Sequence, residues 1–278
     1  MNMIDTKHLS KALTERFGLE VDAYSSLENN GQKVIIRPSG IEHTISFQVE
    51  FHLGWRTINA LFIPGNYASE LVKGTRSASE SQKAAFAVFS DSLKFKGASV
   101  LLNFDHQQVN ASEPSSWPRT WENISIAMKK IGVIVENETG YDFDAVFPWA
   151  TGFFGLAIAL LPLEEVKEPL SEGEVEGTAL LKVVKHFERS RINRAACIEV
   201  HGTDCKICGF SFGDVFGELG DGFIHVHHVI PLSEMGAAYV LNPAKDLIPI
   251  CPNCHSMLHR RKPAFLPKEL IHILSKRK

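Results

Sequence analysis

The chain has 278 residues, of which 44% are hydrophobic and 22% are charged. This composition is ordinary for a globular protein, it excludes disorder over most of the length, and the length suits two domains. The formal net charge of -3 is unevenly spread, because residues 185–278 carry 13 Lys and Arg against 9 Asp and Glu, whereas the first 184 residues carry 16 against 23. The mildly basic C-terminal part favours a polyanionic partner at that end.

The first 165 residues combine strand and helix patterns. Runs rich in β-forming residues lie at 33–37, 43–52, 55–63, 98–104 and 124–135. Leu53-Gly54 predicts a hairpin turn between two of these runs, and apolar residues at helical spacing predict a helix over 81–93. This order is typical of an antiparallel sheet covered by helices, so we expect an α+β fold with a first domain at 1–165.

An uncharged run of 19 residues, 145–163, has nearly the length of a membrane span. Pro148 and Pro162 interrupt it near its ends, and Gly152 and Gly155 lie inside it. The uninterrupted part is too short to cross a bilayer, so the pattern predicts a buried core helix over 144–161. The N-terminus has no basic region followed by an apolar run, so we expect no secretory signal and a cytoplasmic location.

An acidic linker is predicted at 166–177. This stretch is rich in Glu, contains Pro169 and Gly173, and has no apolar period. A second domain at 178–278 then begins with a predicted helix over 178–201. Strands at 223–230 and 246–250 and a helix from Asn253 follow.

All five cysteines lie in this second domain. Cys205 and Cys208 form one Cys-x-x-Cys pair, Cys251 and Cys254 form another, and 42 residues separate the two pairs. Two such pairs in a chain without a secretory signal predict a structural zinc ion with four thiolate ligands. Four buried, reduced cysteines are the alternative interpretation. Cys197 is left over and is expected to be buried in a helix.

Histidines cluster in the same region. His225, His227 and His228 lie together on one predicted strand. His255 and His259 are four residues apart, which places both on one face of the following helix. This spacing suits two imidazole ligands of one metal ion.

The segments Cys205-x2-Cys208, His227-His228-Val-Ile-Pro-Leu and Cys251-Pro-Asn-Cys254-His255-x3-His259 occur in that order. In this arrangement the C-terminal region resembles the HNH endonucleases of the McrA-like group, which include modification-dependent restriction enzymes. The resemblance runs from the helix before Cys197 to about Lys262 and does not cover the first domain. It implies a ββα-metal fold stapled by the zinc ion.

The resemblance also implies a role for each histidine. His228 would be the general base, because a neutral imidazole with an ordinary pKa of about 6.5 can accept the proton of the attacking water. A catalytic divalent metal would stabilise negative charge on the phosphate, and the candidate ions are Mg²⁺, Mn²⁺, Ni²⁺, Co²⁺ and Zn²⁺. Its ligands would be His227, His255 and His259. The asparagine of the HNH motif has no direct match, and Asp246 or nearby Asn242 stands in its place.

Basic and aromatic side chains supply candidate DNA contacts. Arg260 and Arg261 follow the second histidine pair, where they either contact DNA phosphate or interact with the helix dipole from a solvated helix end. Basic candidates in the first domain are Arg37, Arg56, Lys73 and Arg76. Aromatic candidates for base stacking are Trp55, Tyr67, Trp117, Trp121, Tyr141 and Trp149, although each alone is more typical of a core residue.

The resemblance therefore predicts metal-dependent cleavage of double-stranded DNA. It favours a type IV restriction enzyme directed at modified DNA, such as methylated or hydroxymethylated cytosine, with the first domain as the reader. Two alternatives stay open: a zinc-ribbon DNA-binding protein that does not cleave, and a nuclease whose first domain binds a protein partner. No membrane partner is expected, and a homodimer is compatible with this interpretation.

Overall fold

The computed structural model describes residues 3–28, 31–133, 143–163, 190–230, 239–261 and 263–276. These residues form a seven-stranded antiparallel sheet covered by helices, followed by a two-stranded sheet with short helices. The α+β fold class predicted from the sequence is confirmed. The predicted linker at 166–177 lies outside the described residues.

The large sheet has the strand order β1-β2-β3-β4-β7-β5-β6. Its strands are β1 (Val21–Glu28), β2 (Gly31–Pro38), β3 (Phe47–Gly54), β4 (Thr57–Pro64), β5 (Ala98–Phe104), β6 (Gln107–Val109) and β7 (Ile124–Ile131). The predicted hairpin between the two runs that form β3 and β4 is confirmed, but its turn does not lie at Leu53-Gly54, because Gly54 still belongs to β3 and pairs with Thr57. The chain reverses two residues later, at Trp55-Arg56, where Arg56 adopts a left-handed φ of 55°.

Three long helices cover one face of this sheet, and they are α1 (Thr6–Phe17), α3 (Glu80–Phe95) and α4 (Phe143–Ile158). The short helix α2 (Ser69–Gly74) follows β4. α3 begins with a capping box, in which the Ser79 hydroxyl accepts from the Gln82 N–H and the Gln82 side chain accepts from the Ser79 N–H. Phe86 and Phe89 of this helix are fully buried and join the apolar residues of the strands in one core.

Helix α4 contains most of the uncharged run of the sequence. The hydroxyl of Thr151 donates to the carbonyl of Phe147 at 2.9 Å, next to the interior Pro148. Gly155 allows α3 to approach closely, because a methyl group at this position would lie 2.5 Å from the Phe89 ring. The helix is buried, and none of the helices in the described ranges is long and apolar enough to cross a membrane.

The small sheet pairs β8 (His225–His228) with β9 (Leu247–Ile250) in antiparallel orientation. Helix α5 (Arg191–His201) precedes it, and the short helices of this region are α6 (Phe212–Phe216), α7 (Pro243–Asp246), α8 (Pro252–Leu258) and α9 (Pro267–Ser275). The predicted strand at 223–230 is shortened to four residues, and the predicted helix near Asn253 begins at Pro252. Residues 178–189 of the predicted first helix lie outside the described ranges.

Candidate metal centres

Two turns bring together the thiols of Cys205, Cys208, Cys251 and Cys254. The first turn follows α5 and is tied to β9, because the N–H of Lys206 donates to the carbonyl of Pro249 at 3.0 Å. The second turn starts α8, where the Cys251 sulfur accepts from the N–H of Cys254 at 3.4 Å and thereby caps the helix. The backbone therefore fixes both pairs against the same small sheet.

The distances between the sulfurs fit a tetrahedral zinc site. All four Sγ atoms lie within 4.8 Å of one another, and those of Cys208 and Cys251 are 3.8 Å apart. Zinc–sulfur bonds of about 2.3 Å in a tetrahedron place the ligand sulfurs about 3.8 Å from one another. The four cysteines can therefore bind one zinc ion without a change of backbone.

The electrostatics of this cluster also favour a bound cation. Burial raises the pKa of Cys254, and the neighbouring thiols of Cys251 and Cys208 raise it further. Burial opposes ionisation of Cys205 as well, but backbone hydrogen bonds outweigh that effect and lower its pKa to about 7. The negative charge of one thiolate thus disfavours ionisation of the next thiol. A coordinated divalent ion offsets this repulsion between charges and keeps the thiols ionised.

Strand β8 and helix α8 bring three imidazoles together. One ring nitrogen from each of His227, His255 and His259 lies within 4.8 Å of the other two. The ring of His227 is centred 5.1 Å from that of His255 and 5.3 Å from that of His259. Three nitrogens this close fit one first-row divalent ion bound at about 2.1 Å from each of them.

His225 adds a fourth imidazole beside this cluster. It lies two residues before His227 on the same face of β8, and its Nδ1 is 3.0 Å from the Nδ1 of His255. An imidazole that is hydrogen-bonded through Nδ1 has only Nε2 left for a metal ion. The contact therefore fixes the orientation of the His255 ring. The His-x-His alternation along the strand was the only signal of this contact in the sequence.

His228 ends β8 and lies outside the three-imidazole cluster. Side chains alternate along a strand, so His228 leaves β8 on the face opposite to His227. If the general base and a metal ligand are adjacent residues, the chain must bend directly after His227 for both side chains to face one site. The chain bends one residue later, at Val229 and Ile230. The reason is that His228 still pairs with Leu247 of β9. Its side chain is half-buried.

Asp246 and Asn242 organise the chain next to His228. The buried Asp246 accepts the N–H of Asn242 at its Oδ2 at 2.7 Å, and its backbone carbonyl accepts the N–H of Val229 at 2.8 Å. Asn242 caps α7 by accepting the N–H of Ala244 at 3.0 Å. The Asp246 backbone thus positions the segment that follows β8, whereas its carboxylate, purely as an acceptor, and the Asn242 side chain stabilise the start of α7.

The two arginines after α8 have different surroundings. Arg261 donates to both carboxylate oxygens of Glu269, at 2.9 and 3.1 Å, and its guanidinium lies 3.9 Å from the centre of the Phe265 ring. It therefore connects the end of α8 to α9. Arg260 is exposed and forms no ion pair in the part of the chain that the structure describes. Arg260 is thus the more accessible of the two to a DNA phosphate.

Helix α5 anchors β8 to the helices of the large sheet. Arg194 donates to the carbonyl of Ile224, directly before β8, at 2.9 Å. The Glu199 side chain is 3% exposed, and its carboxylate contacts the ammonium of Lys96, directly after α3, and, at 3.9 Å, the guanidinium of Arg16 on α1. Strand β8 and the large sheet are therefore both supported by helix α5.

Consecutive residues of α5 belong to different hydrophobic cores. Ala195 and Ala196 pack with the large sheet and its helices, whereas Cys197 and Ile198 pack with the turns that carry the four clustered cysteines. Cys197 is fully buried, as expected from the sequence, and burial raises the pKa of its thiol to about 12. It is therefore a core residue and not a fifth metal ligand.

Comparison with known proteins identifies the region that holds both centres. Residues 205–261 match the HNH endonuclease family. Over 111 residues the chain is 32% identical to the type IV methyl-directed restriction enzyme EcoKMcrA of Escherichia coli (strain K12), and the match covers 39% of this chain and 37% of the relative. The chain thus aligns with little more than a third of that protein. No solved structure matches the chain. The HNH domain and the resemblance to the McrA-like group are confirmed over this region.

Proposed function

We propose that this protein is a metal-dependent endonuclease that cleaves double-stranded DNA with its HNH domain. The proposal rests on one observation, the convergence of His227, His255 and His259 on a module that also brings four cysteines together. A structural zinc ion needs only the four thiolates as ligands. The second, histidine-only cluster therefore supports cleavage over DNA binding alone.

The residues around this cluster take distinct roles in the proposed reaction. A divalent ion bound by the three imidazoles would stabilise the negative charge on the phosphate and on the leaving 3′ oxygen. His228 accepts the proton of the attacking water at a ring nitrogen. His225 holds the orientation of His255 through the 3.0 Å contact between their Nδ1 atoms. Asp246 fixes the segment after His228 through its hydrogen bond with Val229.

We further propose that the substrate is modified DNA, with methylated or hydroxymethylated cytosine as the modified base. Residues 1–165 would read the modification and residues 178–278 would cut. The Escherichia coli relative is a methyl-directed restriction enzyme, which supports this class of substrate. The excess of acidic residues before residue 185 also disfavours broad, sequence-independent DNA binding by the first domain.

Plasmid cleavage tests both levels of the proposal. Unmodified, methylated, hydroxymethylated and phosphorothioate DNA would be incubated with the full chain and with Mg²⁺, Mn²⁺, Ni²⁺, Co²⁺ or Zn²⁺ in turn. We expect cleavage of modified DNA that depends on added metal. His228→Ala should lower the rate by about 100- to 10,000-fold while the fold and DNA binding stay intact, and His272→Ala on the exposed face of α9 should cut normally.

Each other outcome selects an alternative. DNA binding without cleavage under every metal would favour a zinc-ribbon DNA-binding protein. Equal cleavage of all four substrates would remove the dependence on modification and favour a first domain that binds a protein partner. Wild-type activity in His228→Ala would contradict the assignment of the general base.

A further inference from the structure

The turn between β3 and β4 exposes a tryptophan. Trp55 is 86% exposed, whereas the other three tryptophans are buried or half-buried. Trp117 donates its indole N–H to the carbonyl of Asn110 at 2.8 Å, and Trp121 donates its own to the hydroxyl of Thr75 at 2.9 Å. These two candidates for base stacking are therefore core residues. Trp55 remains as the tryptophan whose ring is open to a ligand.

The backbone next to Trp55 is in a conformation that glycine would adopt more easily. Arg56 has a φ of 55°, in the left-handed region that is unfavourable for a residue with a side chain. The N–H groups of Gly132 and Val133 hold it there, because they donate to the Arg56 carbonyl at 2.9 and 3.1 Å. A glycine would form the same turn without strain. The geometry of the turn therefore does not require an arginine, which points to a use for this side chain outside the fold.

At a second left-handed turn, a non-glycine side chain stabilises the fold. Asp105 and His106 connect β5 to β6 with φ values of 47° and 69°. The Asp105 carboxylate accepts the N–H of Asn123 at 2.7 Å and the N–H of Glu122 at 2.9 Å. Its side chain thus stabilises the fold directly. Arg56 has no equivalent contact in the described ranges, where its guanidinium lies 5.8 Å from the centre of the Trp55 ring.

The charge around this turn suits a polyanion. Arg56 forms no ion pair with any described residue, whereas the other basic candidates of the first domain contact their own chain: Arg37 with Gln48, Lys73 with Glu70, and Arg76 with Glu122. Lys129 on β7 is exposed and lies two residues from Ile131, which pairs with Thr57 at the base of the turn. The guanidinium of Arg56 thus lies beside the indole ring without an ion pair among the described residues, and the exposed Lys129 lies on the strand next to β4.

We propose that the Trp55-Arg56 turn is the DNA-contacting element of the first domain, with the indole of Trp55 stacked on a base and with Arg56 and Lys129 on the neighbouring phosphates. In a duplex, a base that is flipped out of the helix can stack on an aromatic ring, and cations beside the ring bind the backbone. The turn contacts DNA as a rigid unit, because the hydrogen bonds from the Gly132 and Val133 N–H groups fix it to the end of β7. This inference rests on the proposed function, because it takes DNA as the substrate and names the surface that reads it.

A pair of exposed aromatic residues provides the test and its control. Tyr67 is 76% exposed and follows β4 at the opposite end of the same strand pair, and Tyr141, another sequence candidate, lies outside the described residues. In a His228→Ala background without added divalent metal, fluorescence anisotropy would measure binding to short labelled duplexes with and without 5-methylcytosine or 5-hydroxymethylcytosine. Trp55→Ala should weaken binding by about 5- to 150-fold, the range for one stacked base. Trp55→Phe should retain most of the affinity, and Tyr67→Ala should retain all of it.

Arg56→Gly separates binding from folding. Glycine accepts the left-handed φ, so the variant should lose DNA affinity while its melting temperature is unchanged or higher. Parental affinity in both Trp55→Ala and Arg56→Gly would overturn the inference and leave the proposed endonuclease function standing. If the parent binds none of the duplexes, the proposed DNA substrate fails, and this inference fails with it.

Discussion

Glu199 provides a test of how the HNH domain is joined to the large sheet. Its carboxylate is 3% exposed and lies between Lys96 and Arg16, whose side chains are 33% and 18% exposed. Glu199→Gln keeps the size of the side chain and removes its charge, so both cations lose their counter-charge. Removal of one partner from a buried ion pair costs about 3–5 kcal/mol. Because water reaches part of both cations, we expect the free energy of unfolding to fall by about 2–4 kcal/mol.

Two signals can follow the two parts of the chain separately during urea unfolding. All four tryptophans lie between residues 55 and 149, so their fluorescence reports the large sheet, and a zinc-sensitive dye reports release of the metal from the four cysteines. In the parent we expect the two transitions to coincide. In Glu199→Gln both midpoints should fall and the transitions should separate, since the carboxylate links α5 to α1 and α3.

A surface ion pair of the same length supplies the control for this experiment. Glu15 and Lys11 are 3.9 Å apart on α1, and their side chains are 65% and 74% exposed. Glu15→Gln should change the free energy of unfolding by less than about 1 kcal/mol. If Glu199→Gln unfolds at the same urea concentration as Glu15→Gln, with coincident transitions, the reasoning about α5 is refuted.

Three further predictions concern the four clustered cysteines, His225 and Cys197. Cys208→Ser should lose the tightly bound zinc ion and unfold the HNH domain, because a structural metal contributes folding energy, whereas Cys197→Ala should keep its zinc by elemental analysis. A folded Cys208→Ser protein with full zinc content would contradict the site. His225→Ala should weaken Mn²⁺ binding at the three imidazoles by about 10- to 100-fold in calorimetry, with partial recovery in His225→Gln and no change in His272→Ala. Unchanged affinity in His225→Ala would show that the contact with His255 does not support the site. Since burial raises the pKa of Cys197 to about 12, only about one thiol in ten thousand is ionised at pH 8. Iodoacetamide should therefore leave Cys197 unlabelled in the folded protein by mass spectrometry, and rapid labelling would contradict its burial.

The clusters of candidate ligands can be predicted from the sequence because their signals are local. A Cys-x-x-Cys pair needs only one turn to bring its thiols together, and His255 and His259 need only one helical turn to share a face. The contact between His225 and His255 is different, since 30 residues separate the two rings and they meet only when α8 packs on β8. Spacing along the chain carries no information about such a pair.

The hairpin between β3 and β4 shows why turns are harder to place. Turn rules assign left-handed positions to glycine or asparagine, so the sequence predicts the reversal at Leu53-Gly54. The structure places Gly54 in the strand and gives the left-handed φ to Arg56. Hydrogen bonds from Gly132 and Val133, more than seventy residues away, hold that conformation. A local rule has no access to a contact at this distance.

Helix α5 shows a second reason why the packing partners of buried residues cannot be predicted from the sequence. An apolar residue in a helical pattern signals burial, but the pattern does not say against which partner it is buried. Ala196 and Cys197 are neighbours in the sequence, yet the first packs with the large sheet and the second with the turns that carry the four clustered cysteines. On the HNH side, Arg194 holds the residue before β8, and on the other side Glu199 is clamped by cations of α1 and α3. The strand with His225, His227 and His228 is therefore positioned by the same helix that packs on the large sheet. In a fragment that begins at α5, the apolar face of this helix would be exposed and Glu199 would lack both cations.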